Sequence, residues 1–222
     1  MQKENIVGKA VQKSKAAKYT RFIEWGGMGI LLIISGFFLW RKYQNRREES
    51  AQNELWPLAY YVENEYYEKA EQGDGVNFGL YWIVENYENT KAGQQALYTL
   101  AHIHIQKCDF QKAITFLQRI KQSKDSILDT FFIHLSLANC YREMGDFKRA
   151  SEYYQKAISY NPNEHLTPLA LIQLAKMYEQ KRELKEALAT YQMARERFET
   201  TPHATELLKN IARIETLLAQ ES

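Results

Sequence analysis

Residues 141–162 read YREMGDFKRASEYYQKAISYNP, and this stretch decides the fold. Gly145-Asp146 interrupts a helical pattern and Asn161-Pro162 stops the next one. Between the two breaks, Ala150, Tyr154 and Ala157 recur at spacings of three and four, the period of one helix face. Upstream, Leu137, Ala138 and Tyr141 carry the same period. Small residues such as Ala138 and Ala150 let two antiparallel helices approach closely, and Tyr141 and Tyr154 fill the space between them. The unit recurs: Ala113, Ala150 and Ala187 stand 37 residues apart. Leu100-Ala101, Phe110, Ala113 and Leu117 occupy the matching places in the first copy. Leu174-Ala175, Tyr178, Ala187, Tyr191 and Ala194 do so in the third. One helical pair cannot bury its apolar face, whereas stacked pairs can. Proline and glycine are scarce and no segment sustains a period-two alternation, so the expected fold class is all-α.

The pattern resembles the tetratricopeptide repeat family. Three units are expected within residues 91–202, at about 93–126, 130–163 and 167–200, with the middle one strongest. The usual period of about 34 is stretched to 37, through connections such as Lys121–Asp129. Cys108 replaces the turn glycine of the first copy, and Glu199 stands where the third should carry proline. Residues 53–90 read as a degenerate helical pair, with Ala51–Gly73 and Gly75–Glu88 as its arms and Asp74-Gly75 as its turn. Residues 203–222 read as one amphipathic helix capping an α-solenoid.

The N-terminal part has a different character. Phe22–Trp40, FIEWGGMGILLIISGFFLW, carries one charge, Glu24, and ten Ile, Leu or Phe residues. As a helix it would span about 28 Å, near the ~30 Å of a hydrocarbon core. Trp25 and Trp40 sit where interfacial aromatic belts form. Trp40-Arg41-Lys42-Tyr43 is a poor signal-peptidase site, so an uncleaved transmembrane helix at 22–40 is expected. Residues 1–21 then form a basic tail and residues 41–52 a charged juxtamembrane connection. Six cations precede the span and four follow it within residue 47. The positive-inside rule thus expects a cytoplasmic N-terminus and a repeat domain outside. Gly26, Gly29 and Gly36 share one face of the span, where small residues permit lateral association and a homo-oligomer.

Charge separates the same two parts. Residues 1–48 hold ten Lys/Arg against three Asp/Glu, leaving nineteen against twenty-four in the rest. An acidic repeat domain argues against a nucleic-acid partner. Glu48–Glu88 is the most acidic stretch, with Lys69 as its lone cation. It is also rich in rings, most of them expected in the core, with one member of each pair Tyr60-Tyr61 and Tyr66-Tyr67 exposed. Cys108 and Cys140 fall out of register with each other, so both are expected as free thiols. His102-x-His104 is the one metal-like spacing. On a helix two residues lie about 200° apart, so no metal site is expected, and His104 and His134 read as packing residues. No phosphate-cradling loop, nucleophile motif or cofactor site stands out, and the chain does not read as an enzyme.

The family resemblance implies a groove lined by the first helix of each unit, receiving an extended peptide or partner helix. By register its residues are Gln95, Tyr98, His102 and Gln106 in the first unit. In the second they are Phe132, Leu135, Asn139, Arg142 and Glu143; in the third, Leu169, Ile172, Lys176 and Glu179. Of a carboxylate-binding clamp only Asn139 is present, so that mode is rejected. The mixture of apolar and polar groups suits an apolar segment with some hydrogen bonding. The order of parts (basic tail, single span, acidic repeat array, terminal helix) resembles the bitopic ancillary subunit of the bacterial Sec translocon. That resemblance implies an inner-membrane adaptor or chaperone-like factor with a periplasmic repeat domain. Translocon subunits, periplasmic chaperones and client chains would be its partners, and lipid would contact its one span. A self-associating membrane scaffold, or a cytosol-facing receptor if the topology is reversed, is the alternative.

Overall fold

The computed structural model describes residues 33–121, 129–160, 166–197 and 204–221. They fall into two units, divided between Ser50 and Ala51. In the first, residues 33–50 are helical, with Ile33, Phe37, Phe38, Leu39 and Trp40 exposed. The expected span lies outside the described residues from 22 to 32, together with Gly26 and Gly29. Gly36 is described, and its Cβ position meets open space. Among the described residues no helix is long and apolar enough to cross a membrane. Residues 41–52, expected as a connection, are helical throughout. Helix α1 denotes residues 33–50 of the first unit; residues 51–55 are helical in the second.

Among the described residues the second unit is helical, with one isolated bridge between Gly73 and Phe78. The arm expected as a single helix at Ala51–Gly73 is divided. Helix α2 covers Leu58–Glu63 and α3 covers Tyr67–Gln72, with α4 following at Leu80–Tyr87. Pro57 precedes α2, and Glu65, at φ 59°, breaks the chain between α2 and α3. The Asp74 turn is built around its carboxylate. Oδ1 accepts from the amides of Val76 and Asn77, and Oδ2 accepts from the Tyr61 hydroxyl at 2.6 Å. These bonds hold the Asp74 carboxyl well below its ordinary range.

Three helical pairs follow: α5 and α6 (Lys91–Gln106, Phe110–Arg119), α7 and α8 (Thr130–Glu143, Phe147–Tyr160), α9 and α10 (Thr167–Gln180, Leu184–Arg197). The 37-residue register fixes their turns. Cys108, Gly145 and Arg182 all take positive φ, at 58°, 76° and 61°. In each turn the next amide reaches back to a helix carbonyl: Asp109 to His104, Asp146 to Tyr141, Glu183 to Tyr178. Glycine adopts that conformation without a Cβ penalty, and the first and third turns adopt it with Cys and Arg. Asp109 and Asp146 then cap the second helices, accepting from the amides of Lys112 and Arg149.

The interior of each pair repeats as well. Ala113, Ala150 and Ala187 are fully buried, as are Leu117, Tyr154 and Tyr191 one turn on. A buried hydroxyl without a partner costs about 1–3 kcal/mol, and both tyrosines have one. Tyr154 donates to Asn139 Oδ1 and Tyr191 to Glu179 Oε1, each at 2.6 Å. Burial pushes the Tyr154 hydroxyl up to about 12 and raises that of Tyr191 further. Leu117 needs no such partner. Helix α11, Ala204–Glu221, continues the register. It starts 37 residues after Thr167, as Thr167 does after Thr130. Leu207, Ile211 and Ile214 bury against Leu171, Ile172 and Ala175 in a second cluster.

Candidate functional site: the open face of the first helices

Aligned at 37 residues, α5, α7 and α9 bury the same positions. Ala96, Ile133 and Ala170 match, as do Leu100, Leu137 and Leu174, then Ala101, Ala138 and Ala175. Four rows stay open or half-open. They are Gln95, Phe132 and Leu169; Thr99, Ser136 and Gln173; His102, Asn139 and Lys176; Gln106, Glu143 and Gln180. Their offsets of four, three and four residues place each row above the last on one helix face.

Eight of the thirteen groove residues expected from sequence stand on this face. Tyr98, Leu135, Arg142, Ile172 and Glu179 do not. Leu135 and Ile172 are only 7% and 2% exposed and belong to the cores. Tyr98, in their row, is half-buried against the same core. One residue corresponds to about 100° of helix rotation, so this row turns from the open face into the contact with the neighbouring unit. Ile172 is covered in the cluster that α11 supplies. Arg142 and Glu179 also face between helices. Arg142 donates to Gln173 Oε1 at 2.9 Å and to the Tyr154 hydroxyl, and Glu179 accepts from Tyr191 and Arg213. They tie first helices to their neighbours. The row that sequence reasoning missed is Thr99, Ser136 and Gln173. Its polar side chains are the signal that distinguishes it from the apolar row beside it.

Charge on this face is largely neutralised in place. Glu143 pairs with Arg142 and Lys176 with Glu206 of α11. The rest is amide, hydroxyl and imidazole, with Phe132 (38% exposed) and half-buried Leu169 forming an apolar edge. Near its α5 end, Gln95 and Thr99 also border a cavity of about 190 Å³ lined by Leu55, Leu58, Ala59, Val62, Glu63 and Leu80.

The histidines divide as their spacing predicts. His102 is exposed. His104 is buried, stacks on Phe116 and shares a 2.9 Å hydrogen bond with the Tyr81 hydroxyl. Burial lowers its pKa despite carboxylates of Glu71 and Asp109 at 3.6 Å. His134 is buried beside Tyr153 and Tyr160, its pKa lowered by burial and then by Lys156. Among the described residues no group of His, Cys, Asp and Glu is placed to hold a metal. Cys108 is exposed and Cys140 buried, both free, and burial pushes the Cys140 thiol up to about 12. Tyr60 and Tyr66 are the exposed members of their pairs, with Tyr61 and Tyr67 half-buried.

These helical pairs, joined by tight turns at a fixed register, define a helix–turn–helix repeat protein. Residues 132–164 match the tetratricopeptide repeat family, so the chain carries at least one tetratricopeptide repeat. It is 32% identical over 116 residues to an uncharacterized protein, ycf37, of Pyropia yezoensis. That match covers 50% of this chain and 64% of the relative, just under two thirds of its length. Similar solved structures include the N-terminal domain of stress-induced protein-1 from C. elegans. It is 17% identical at TM-score 0.47, over 56% of this chain and 96% of that one. The Yersinia enterocolitica type III secretion chaperone SycD, solved with a peptide of the translocator YopD, is 23% identical at TM-score 0.46, over 58% and 94%. BtubC from P. vanneervenii is 20% identical at TM-score 0.46, over 74% and 65%.

Proposed function

We propose that the chain is a non-enzymatic protein-interaction module, held at a membrane by residues 22–40 and binding a partner segment along the open face of α5, α7 and α9. The observation that carries this reading is the register of that face. Four rows, at successive offsets of four, three and four residues, stay open or half-open on three helices, beside the buried rows of Ala96, Leu100 and Ala101 and their register partners. Amides and hydroxyls beside an apolar edge suit a peptide main chain with apolar side chains. The span is supported by the apolar composition of 22–40 and by the exposed Ile33, Phe37, Phe38 and Leu39 on its described part. With the charge bias of its flanks, this supports reading the chain as a single-pass protein, in our proposal one of the bacterial inner membrane. Its N-terminus is cytoplasmic and its repeats are periplasmic, serving as an adaptor or chaperone-like factor in secretion or envelope assembly.

The molecule carries its own reporter of topology, because Cys108 is exposed and Cys140 buried. Intact cells, with the outer membrane permeabilised where present, are treated with a membrane-impermeant maleimide. A Cys108→Ser variant serves as background. Modification of Cys108 before lysis is expected. Modification only after lysis would place the repeats in the cytoplasm and replace this reading with a cytosol-facing receptor. A photo-crosslinking residue at Ser136 is expected to capture a partner protein that the same residue at exposed Lys209 does not. Equal capture at both positions would move the binding surface elsewhere.

A further inference from the structure

The cavity beside Gln95 and Thr99 is built unlike the face it borders. Leu58 and Leu80 are fully buried and form its floor, while Ala59, Glu63 and Gln95 are exposed and form its open edge. About 190 Å³ lies well below the roughly 300–1,000 Å³ of small-molecule sites and several times above the ~30 Å³ of one water. With aliphatic walls, it has room for one or two apolar side chains. Its edge carries charge that the protein does not neutralise. Glu63 makes no ion pair among the described residues. Residues 53–90 hold eight carboxylates against Lys69 alone, of which Glu71 and Glu88 pair with Lys107 and Arg119. The charged groups of the neighbouring face, Glu143 and Lys176, are already paired.

The geometry points to an anchor site in this cavity. It takes an apolar side chain of an extended peptide, with Lys or Arg beside that residue set against Glu63 and the rest of the segment along the open face. The inference rests on the reading of that face as a binding surface. A helical ligand satisfies its own main chain, whereas an extended one must find donors and acceptors, which the rows of Gln, Thr, Ser and Asn supply. The same carboxylates disfavour nucleic acid and anionic lipid as occupants.

The test uses the full-length protein in nanodiscs and fluorescein-labelled twelve-residue peptides read by anisotropy. The first peptide places a leucine and then a lysine near one end of a Ser/Gly/Pro chain. The second replaces the leucine with serine, and the third replaces the lysine with glutamate. The first is expected to bind about tenfold tighter than either other, a typical effect for an anchor residue. Ala59→Trp, which fills the cavity from its exposed edge, is expected to erase the advantage of leucine. Glu63→Lys, a surface change that leaves the core intact, is expected to reverse the preference between lysine and glutamate. Equal binding of all three peptides, or a ranking unchanged by both variants, overturns the anchor. The double variant Phe132→Asp, Leu169→Asp separates the two readings. If it weakens every peptide while Ala59→Trp and Glu63→Lys change nothing, the open face stands and the anchor falls. If it changes nothing while the other two variants act, the anchor stands and the wider face falls.

Discussion

The two ends of the repeat array are finished in opposite ways. At the C-terminal end, α11 takes the place in the register that another first helix would hold. It covers Leu171, Ile172 and Ala175 and locks on through Lys176–Glu206 and Arg213–Glu179. At the N-terminal end, α2, α3 and α4 break the register. The chain there turns at Pro57, Glu65 and Asp74, and the fit against α5 leaves a cavity with an unpaired carboxylate at its edge. Continuing a repeat closes an end because the new helix brings side chains already matched to the old face. Breaking it leaves an irregular junction, here one with an apolar cavity in it.

The largest effect that sharpens this contrast lies at Gly93, whose register partners are Thr130 and Thr167. A Cβ on Gly93 would lie 2.0 Å from the Tyr87 carbonyl oxygen, main chain that cannot step aside. Gly93→Thr is expected to lose about 3 kcal/mol or fail to fold, whereas Thr130→Gly loses about 1 kcal/mol. Urea denaturation checks both. Equal losses would mean that the α4–α5 junction is as tolerant as the regular ones. At the other end, Ile211→Ala is expected to cost about 2 kcal/mol, while Leu208→Ala, 52% exposed on the same helix, stays within about 0.5 kcal/mol. A comparable loss at Leu208 would show that a further surface covers α11 in solution.

Smaller changes probe the turns that the register fixes. Gly145→Ala meets open space, so only its φ of 76° opposes the change. It should cost about 1 kcal/mol, and Arg182→Gly should gain a few tenths by the converse argument. Thermal melts of the two variants should move in opposite directions. The smallest effect is a slope with pH. His104 and His134 both have folded pKa values below the unfolded one of 6.5, chiefly through burial. Their neutral forms favour the fold, so this stability is complete above pH 6.5 and is lost as pH falls through the lowered values. The urea midpoint should therefore drop on acidification, and His134→Gln should flatten that slope. An unchanged slope in a variant that folds would show that His134 titrates normally.

Sequence legibility follows the same division between regular and irregular parts. Ala113, Ala150 and Ala187 gave away the repeat because small residues at a fixed period have one efficient packing solution. The helix termini followed from Gly145-Asp146 and its altered copies. The open face was legible in three of its four rows, and the strip beside it was wrongly included. Helical periodicity places Phe132, Asn139 and Glu143 together. It does not say whether the next strip around the helix, Tyr98, Leu135 and Ile172, faces outward or toward a neighbour. Leucine and isoleucine serve equally as groove floor and as core. The split of Ala51–Gly73 into two short helices was not legible, although Pro57 lies within it, because Asn64-Glu65 carries no strong turn signal.

What the sequence by itself determined is what depends on local periodicity and bulk chemistry. This includes an all-α repeat at 37 residues, the opposite faces of His102 and His104, the apolar character of 22–40 and the acidic character of 53–90. Only the tertiary structure decided what depends on where one helix meets another. It buried Leu135 and Ile172, opened the row of Thr99, Ser136 and Gln173, and paired Glu143 and Lys176 with partners inside the chain. It also left Glu63 unpaired beside an apolar cavity. Period and composition belong to single segments, whereas burial and pairing belong to the distance between segments far apart in the chain.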